Sequence, residues 1–495
     1  MLNAVLLFNT LSKKAILSGT ISSIQKSFIL LLLIIVPLSS FGIQQDLTSE
    51  ADSTQSKTFL FDDFIAEVRN SNPLIDQFTA TNKQADARIV SAAGAFDPKL
   101  YSKFSKKEFD SKTYYQKWET GIEYKTPSPF RFNVGFQEND GQFLNPENST
   151  GKNRLWNLGV SMDLGRGLLT DEFRTRYDVS RADRDRISAE VNEQLNEFYV
   201  ESAVLFWKWS EAYTILNLYK ELYELALFRK NGVIQGFTNG DRSAADTLEA
   251  HVFVRKRTLE VKESALKYNS ALLKVQAFIG KKIPVDIHPE SLSIDNLTPL
   301  NEEELNLSAL INKHPVRQQY VNKIKAGKSE LKLKWEQVRP ELALYYNYLS
   351  DNSNLQFDVG EQAMFGVKFS LPLFLRKGRG SIQEYKAKVS EYEAALSWAE
   401  RKLEAMLYQE ILAVNTSLEL FLTNRLYVDE LKSLLEFERR RFDIGESSLF
   451  VVNQREVSFA MAEVSKIKAF VNYRMQWERW KAVNGTAYLF FLKGK

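Results

Sequence analysis

The 495-residue chain carries 65 Lys and Arg against 62 Asp and Glu, a formal charge of +3, and no cysteine. The near balance of charge leaves no concentrated basic face for phosphate and argues against nucleic acid as a partner. The missing cysteine rules out disulfide stapling and a lipid-modified N-terminal Cys, and fits an exported protein.

At the N-terminus, Lys13, Lys14 and Lys26 precede the apolar run Phe28 to Leu38. Ser39, Ser40, Phe41 and Gly42 follow, then the polar Gln44, Gln45 and Asp46. This is the order of a secretory signal peptide, read over 1–42, with a polar linker over 43–57. The run falls short of the ~20 residues a spanning helix needs; the other reading is an N-terminal anchor that is never cleaved. No further segment reaches spanning length, so a membrane crossing by the rest of the chain has to use strands.

Beyond the leader the chain repeats its landmarks. Pro73 and Pro98 stand 25 residues apart, as do Pro315 and Pro340; Gly240 and Gly280 stand 40 apart, as do Gly445 and Gly485. Such spacing indicates one supersecondary unit built twice. We place a first repeat over 58–285, a linker over 286–301, a second repeat over 302–485 and a tail over 486–495. Each repeat is expected to hold a helix, strands and a long helical hairpin.

Five short segments alternate with period two. In the first half, Trp118 to Tyr124, Phe130 to Phe136 and Trp156 to Leu164 place apolar residues on even positions; in the second, Leu342 to Tyr348 is even and Phe365 to Leu371 is odd. Leu100 and Phe104 mark a weaker sixth. A half-buried sheet in a soluble domain shows the same pattern. Lengths of 8 to 10 residues and an apolar face rich in Phe, Tyr and Trp favour lipid-facing strands. The polar segment Glu138 to Lys152 reads as a long exposed loop.

From Asp171 to about Gln235 there is no proline, and apolar or small residues recur at steps of four and three: Phe198, Ser202, Leu205, Trp209, Ala212, Leu216, Tyr219, Tyr223, Ala226. The second half repeats this with Tyr385, Val389, Tyr392, Leu396, Ala399, Leu403 and, after a phase slip, Leu407, Ile411, Val414, Leu418, Phe421. Each stripe predicts a helix roughly 100 Å long. Each long helix then reaches a glycine turn and reverses, at Gly236 to Ser243 and at Arg441 to Ser448, which makes these the tips of two helical hairpins.

In this order and doubling the chain resembles the TolC-like outer-membrane efflux proteins over about residues 58–490. The resemblance rests on Asn72-Pro73 and His314-Pro315, on the strands feeding long helices, and on Arg441-Phe442-Asp443-Ile444-Gly445 followed by Val452-Asn453-Gln454. It implies a mixed α and β membrane protein: a homotrimeric transmembrane β-barrel, four strands from each chain, continuous with a long periplasmic α-helical coiled-coil barrel. It implies a passive exit duct in the outer membrane of a Gram-negative bacterium, part of a tripartite efflux or type I secretion system. Gly240, Asp241, Arg242, Ser243, Arg441, Phe442, Asp443, Ile444, Gly445, Glu446 and Ser447 would dock on a periplasmic membrane-fusion adaptor and, through it, an inner-membrane transporter. The chain departs from the family twice. Its first strand region is about 29 residues longer than its second, which leaves the strand count open. The positions six and nine after Gly445 are Val451 and Gln454, whereas after Gly240 they are Asp246 and Glu249, so these two acids are the candidate aperture-lining residues.

Catalytic chemistry is missing from the pattern. His251, His288 and His314 form no metal-ligand spacing, and His314 reads as a helix-entry residue. Gly165-Arg166-Gly167 and Gly378-Arg379-Gly380 lack the Lys-Ser/Thr of a phosphate loop and read as strand-to-helix turns. We therefore expect no enzyme, cofactor or metal. Helix charges such as Arg181, Asp183, Arg184, Asp185 and Arg186 read as a solvated face or a wet tunnel wall. The alternative to a duct is a soluble periplasmic coiled-coil scaffold.

Overall fold

The computed structural model describes residues 57–150, 154–290, 297–351 and 362–492. The signal peptide expected over 1–42 and the linker up to residue 56 lie outside the described residues.

A short strand β1 (Lys57–Phe59) leads into α1 (Phe61–Ser71) and α2 (Pro73–Ala93). Asn72 caps α2 by accepting the Leu74 amide at 3.0 Å, and Pro73 fills the first helical position, where an amide would have no partner. Strands β2 (Lys99–Phe109), β3 (Lys112–Lys125), β4 (Phe130–Asp140) and β5 (Leu155–Asp163) follow, then the 67-residue helix α3 (Glu172–Thr238) and its return, α4 (Ala244–Ile279). The second half runs β6 (Ile287–Pro289), α5 (Leu307–Lys313), α6 (Pro315–Gln337), β7 (Glu341–Ser350), β8 (Ala363–Ser370), the 68-residue α7 (Arg376–Asp443), α8 (Leu449–Val483) and the terminal turn α9 (Leu489–Leu492). At 1.5 Å per residue α3 and α7 are each about 100 Å long.

Six strands form one antiparallel sheet in the order β2-β3-β4-β5-β7-β8. This corrects the four strands per chain that the resemblance implies. The surplus in the first strand region is an extra hairpin, so β2 to β5 stand beside only β7 and β8. Beyond the apolar band β2 and β3 run on to a tight turn at Asp110 and Ser111, both at positive φ (52° and 58°), as a two-residue hairpin loop requires. Strand β4 likewise continues to Asp140, into the segment read as loop.

The register sorts the two faces. Ile122 stands between Leu100 and Val134, and Val134 opposite Leu158; Tyr124, Phe132, Val160, Tyr346 and Phe365 form a second apolar line, and Phe130, Met162, Leu344 and Val367 a third. At one border Phe136 meets Trp118 edge to face and Trp156 at a tilt, each with ring centroids 5.3 Å apart. The opposite face carries Glu123, Asn133 and Asn347 around Gly159, where an added Cβ would lie 1.9 Å from the Asn347 side chain. Several apolar-face residues are exposed, Phe365 at 81%.

The helices make a layer. Helix α3 packs against α2 and α4 on one side and against α6 and α8 on the other, and α7 follows beyond α6 and α8. Of the expected stripe, Phe198, Ser202, Trp209, Leu216 and Ala226 are buried, and in α7 so are Val389, Ala399 and Leu403 through Phe421. Between the strands and the tips the core widens into an aromatic cluster of Phe61 and Phe64 from α1, Phe198, Tyr199, Phe206, Trp207 and Trp209 from α3, and Phe491 from the tail. Burial pushes the Tyr199 hydroxyl up, and it donates to Glu478 at 2.6 Å. The interval read as a linker over 286–301 contributes β6, which pairs in parallel with β1.

His314 caps α6: its Nδ1 accepts the Val316 amide at 3.2 Å, so Nε2 carries the proton it donates to the Val483 carbonyl at 3.1 Å. Burial pushes its pKa down to about 4. Because the folded value lies below the ordinary ~6.5, the stability tied to the neutral ring is fully present above about pH 6.5 and is lost as pH falls toward 4. Some 3 kcal/mol is at stake. His314→Asn keeps a cap like Asn72 and removes the titration. Thermal unfolding should therefore fall less between pH 7 and pH 4 in the variant than in the parent; parallel curves would contradict this.

Candidate docking tips and the charged knot above them

Helix α3 ends at Thr238. The amides of Gly240 and Asp241 bond back to the Phe237 and Gly236 carbonyls at 3.1 and 2.8 Å, and Gly240 takes φ 86°. The second tip copies this: the amides of Gly445 and Glu446 bond to Phe442 and Arg441 at 3.1 and 2.8 Å, with Gly445 at φ 80°. Only glycine adopts this backbone without strain. Ser243 and Asp246 form a reciprocal capping box at the start of α4. Ser448 accepts the Val451 amide at 3.4 Å to cap α8.

The two tips touch. The Arg242 guanidinium lies 4.2 Å from the Phe442 ring, and Phe442 is buried with Val233, Ala250, Leu435, Leu449 and Val452. Arg441 donates to the Glu446 carbonyl at 3.2 Å, and Ser447 donates to Glu438. Asp241, Asp443, Ile444 and Glu446 remain exposed, Ile444 at 70%. Beside them Leu248, Val252 and Phe450 are exposed apolar residues; their signal in the sequence is large apolar side chains within the first three turns after a helix cap.

Asp246 and Glu249 do not stand together as a free acidic pair. The Asp246 carboxylate takes the Ser243 amide and hydroxyl, and Glu249 accepts from the Asn453 amide at 3.1 Å.

About three turns above the tips lies a charged knot. Glu456 of α8 is fully buried; its Oε2 accepts from Arg229 of α3 and from Arg439 of α7 at 3.2 Å, and its Oε1 from Arg257 of α4 at 3.3 Å. Arg257, also fully buried, holds Glu260 at 2.7 Å, while Arg229 reaches Asn453 at 3.0 Å. All four long helices thus meet on one carboxylate. The reading of helix charges as solvated or tunnel-facing holds for Arg184, paired with Asp86 at 2.9 Å near the surface, and fails here. The overlooked signal is phase: Arg257 follows Ala250 and Phe253, and Glu456 follows Leu449 and Val452, at the three-to-four spacing of buried positions.

No family model and no curated protein matches the sequence. Solved structures do. The chain is similar to the MtrE outer membrane channel of Neisseria gonorrhoeae in its open state (TM-score 0.62, 12% identity, covering 92% of this chain and 98% of that one). It is similar to the CmeC outer membrane channel of Campylobacter jejuni (TM-score 0.57, 14% identity, covering 92% and 94%). The outer membrane protein VceC of Vibrio cholerae aligns with TM-score 0.55 and 14% identity, covering 86% and 96%. The chain therefore has the fold of these outer-membrane channels, a sheet continuous with long helical hairpins, as its resemblance to TolC-like proteins implies.

Proposed function

We propose that the protein is the outer-membrane channel of a tripartite efflux or type I secretion system, a passive duct through which cargo crosses the periplasm and the outer membrane. The observation that carries this reading is the six-stranded sheet with one apolar face in register and, among the described residues, two open edges, β2 and β8; the sheet runs into helices of 67 and 68 residues. An open apolar sheet cannot sit alone in lipid, because its edge amides and carbonyls would lack partners. Three copies joined edge to edge make a barrel in the range of roughly 16–18 strands that leaves an aqueous lumen.

The helices have matching free edges. On α4, Val252, Leu259, Leu266 and Leu273 recur every seven residues and are all more than half exposed; on α7, Leu420, Tyr427 and Leu434 do the same with lower exposure. Sustained seven-residue spacing is the pattern of a coiled-coil seam awaiting a partner helix. The α4 edge of one copy against the α7 edge of the next would close the helical barrel of a homotrimer, each chain contributing two repeats, 58–285 and 302–485. The channel folds named above favour this over a soluble scaffold.

In this assembly the tips, Gly240 to Ser243 and Arg441 to Ser447, meet the periplasmic adaptor, which connects to an inner-membrane transporter, while Asp246 and Glu249 line the aperture. A Cβ at Gly445 meets open space, so Gly445→Val acts through backbone strain alone. Gly445→Val and Arg441→Glu should each abolish export while oligomer and membrane fraction stay at parental levels. Undiminished export in both variants, at equal protein levels, would contradict adaptor docking at the tips.

A further inference from the structure

Helix α6 is flanked within its own chain by α3 and α7, so its free faces are not consumed by sideways assembly. Glu336 reaches the α3 side, accepting the Gly167 and Leu169 amides at 3.2 and 3.0 Å. Val338 reaches the α7 side, so close to Gly378 that a Cβ there would lie 2.2 Å from its Cγ1. Leu333, Glu336 and Gln337 line a cavity of about 200 Å³ with Lys125, Arg131 and Asp163 from the polar face of the sheet. With Glu336 turned toward α3, Leu333 and Gln337 mark the lumen side. At 3.6 residues per turn Lys332 and Trp335 lie on the far side of the helix, roughly 100–160° away from them, and Arg339, two residues past the end of the helix, is exposed. They face outward, directly below the apolar face of the strands.

The surroundings suit a membrane interface. Arg339 immediately precedes the Pro340 that opens β7, and Lys332 lies about 10 Å lower at 1.5 Å per residue, a distance comparable to one polar headgroup layer. Trp335 is 49% exposed, with the Lys386 ammonium 5.0 Å from its ring. Leu373 and Phe374, in the turn between β8 and α7, are 84% and 78% exposed, and the Arg376 guanidinium lies 5.8 Å from the Phe374 ring. From Gln362 to Gln383 the chain has no acidic residue. Of the acids near the ridge, Glu336 is buried and bonds Arg339 at 3.3 Å while holding the two amides, Glu330 pairs with Lys388 at 3.1 Å, Glu341 pairs with Lys368 at 3.5 Å, and Glu384 is exposed two residues before Lys386.

We propose that this ridge, centred on Lys332, Trp335, Arg339 and Lys386, binds the anionic phosphodiester headgroups of glycerophospholipids in the periplasmic leaflet. Tryptophan anchors at headgroup depth, and basic side chains beside it attract anionic lipid. The proposal rests on the reading of the strands as a membrane barrel.

The test uses the full chain, first washed in its membranes with alkaline carbonate, then purified in detergent and offered an equal mixture of phosphatidylglycerol and phosphatidylcholine, with retained lipid counted by native mass spectrometry. Each basic residue near an anionic lipid surface is worth about five-fold in affinity. The parent should prefer phosphatidylglycerol by ten-fold or more, and Lys332→Gln/Arg339→Gln/Lys386→Gln should lose that preference with its oligomer intact. Lys332→Arg/Lys386→Arg should keep it, and high salt should weaken it. Equal retention of the two lipids by the parent, or an unchanged preference in the triple Gln variant, overturns the proposal alone. Binding to peptidoglycan sacculi that the variant loses, without any lipid preference, assigns the ridge to the cell wall and also overturns it. A parent chain stripped by carbonate overturns the barrel reading and this proposal with it.

Discussion

Glu456→Leu should loosen the hairpins from each other above the tips, at a cost of about 3–5 kcal/mol, because removing one partner of a buried ionic group leaves the others uncompensated. Three guanidinium groups converge on this carboxylate, and two of the residues, Arg257 and Glu456, are fully buried. Water reaches Arg439, whose side chain is 37% exposed, but cannot replace the lost acceptor at the buried Arg257 without opening the four-helix contact. The expected readout is a lowered urea midpoint and new tryptic cleavage at Arg229, Arg257 or Arg439. Glu456→Gln keeps an acceptor without the charge and should fall between parent and Leu variant. Midpoints and cleavage patterns identical to the parent in both variants would show that the knot holds nothing together.

Phe206→Ala should cost about 3–5 kcal/mol, the usual loss for emptying a buried aromatic site. Phe206 is fully buried and its ring meets Phe61, Phe64, Trp207 and Trp209 with centroids 5.3 to 6.0 Å apart. It joins α1, which carries two of those rings, to the middle of α3. The variant should release the N-terminal segment first, seen as loss of amide-exchange protection over Phe61–Ser71 before the tips are affected. Exchange rates unchanged in α1, or a loss confined to the tips, would contradict the placement of this cluster.

Periodicity makes the strands, the long helices and both tips legible in the sequence, because each is a one-dimensional pattern with a physical cause. Alternation placed Ile122, Val134 and Leu158 on one face, and the register puts them on a line. Glycines with a capping Ser or Asp marked the turns at Gly240 and Gly445. What escaped depends on three-dimensional convergence. Tyr199, Phe206 and Trp207 lie off the single stripe assigned to α3, yet they are buried because α1, α8 and α9 cover a second side of the helix at that level. Arg257 and Glu456 look like surface charges until four helices bring them together. The hairpin at Asp110 and Ser111 is hidden among lysines and glutamates, since strand pairing rather than apolar alternation holds it. At the candidate aperture, Asp246 and Glu249 were legible as acids, but the capping box and the bond to Asn453 that engage them were not.

Electron-microscopic imaging of the purified particle in a lipid nanodisc separates a shared duct from a lone chain. A trimeric duct shows three copies around one axis, with a barrel collar in the disc continuous with a hollow helical stalk about 100 Å long. Single chains, or a particle with no lumen through the collar, would contradict it.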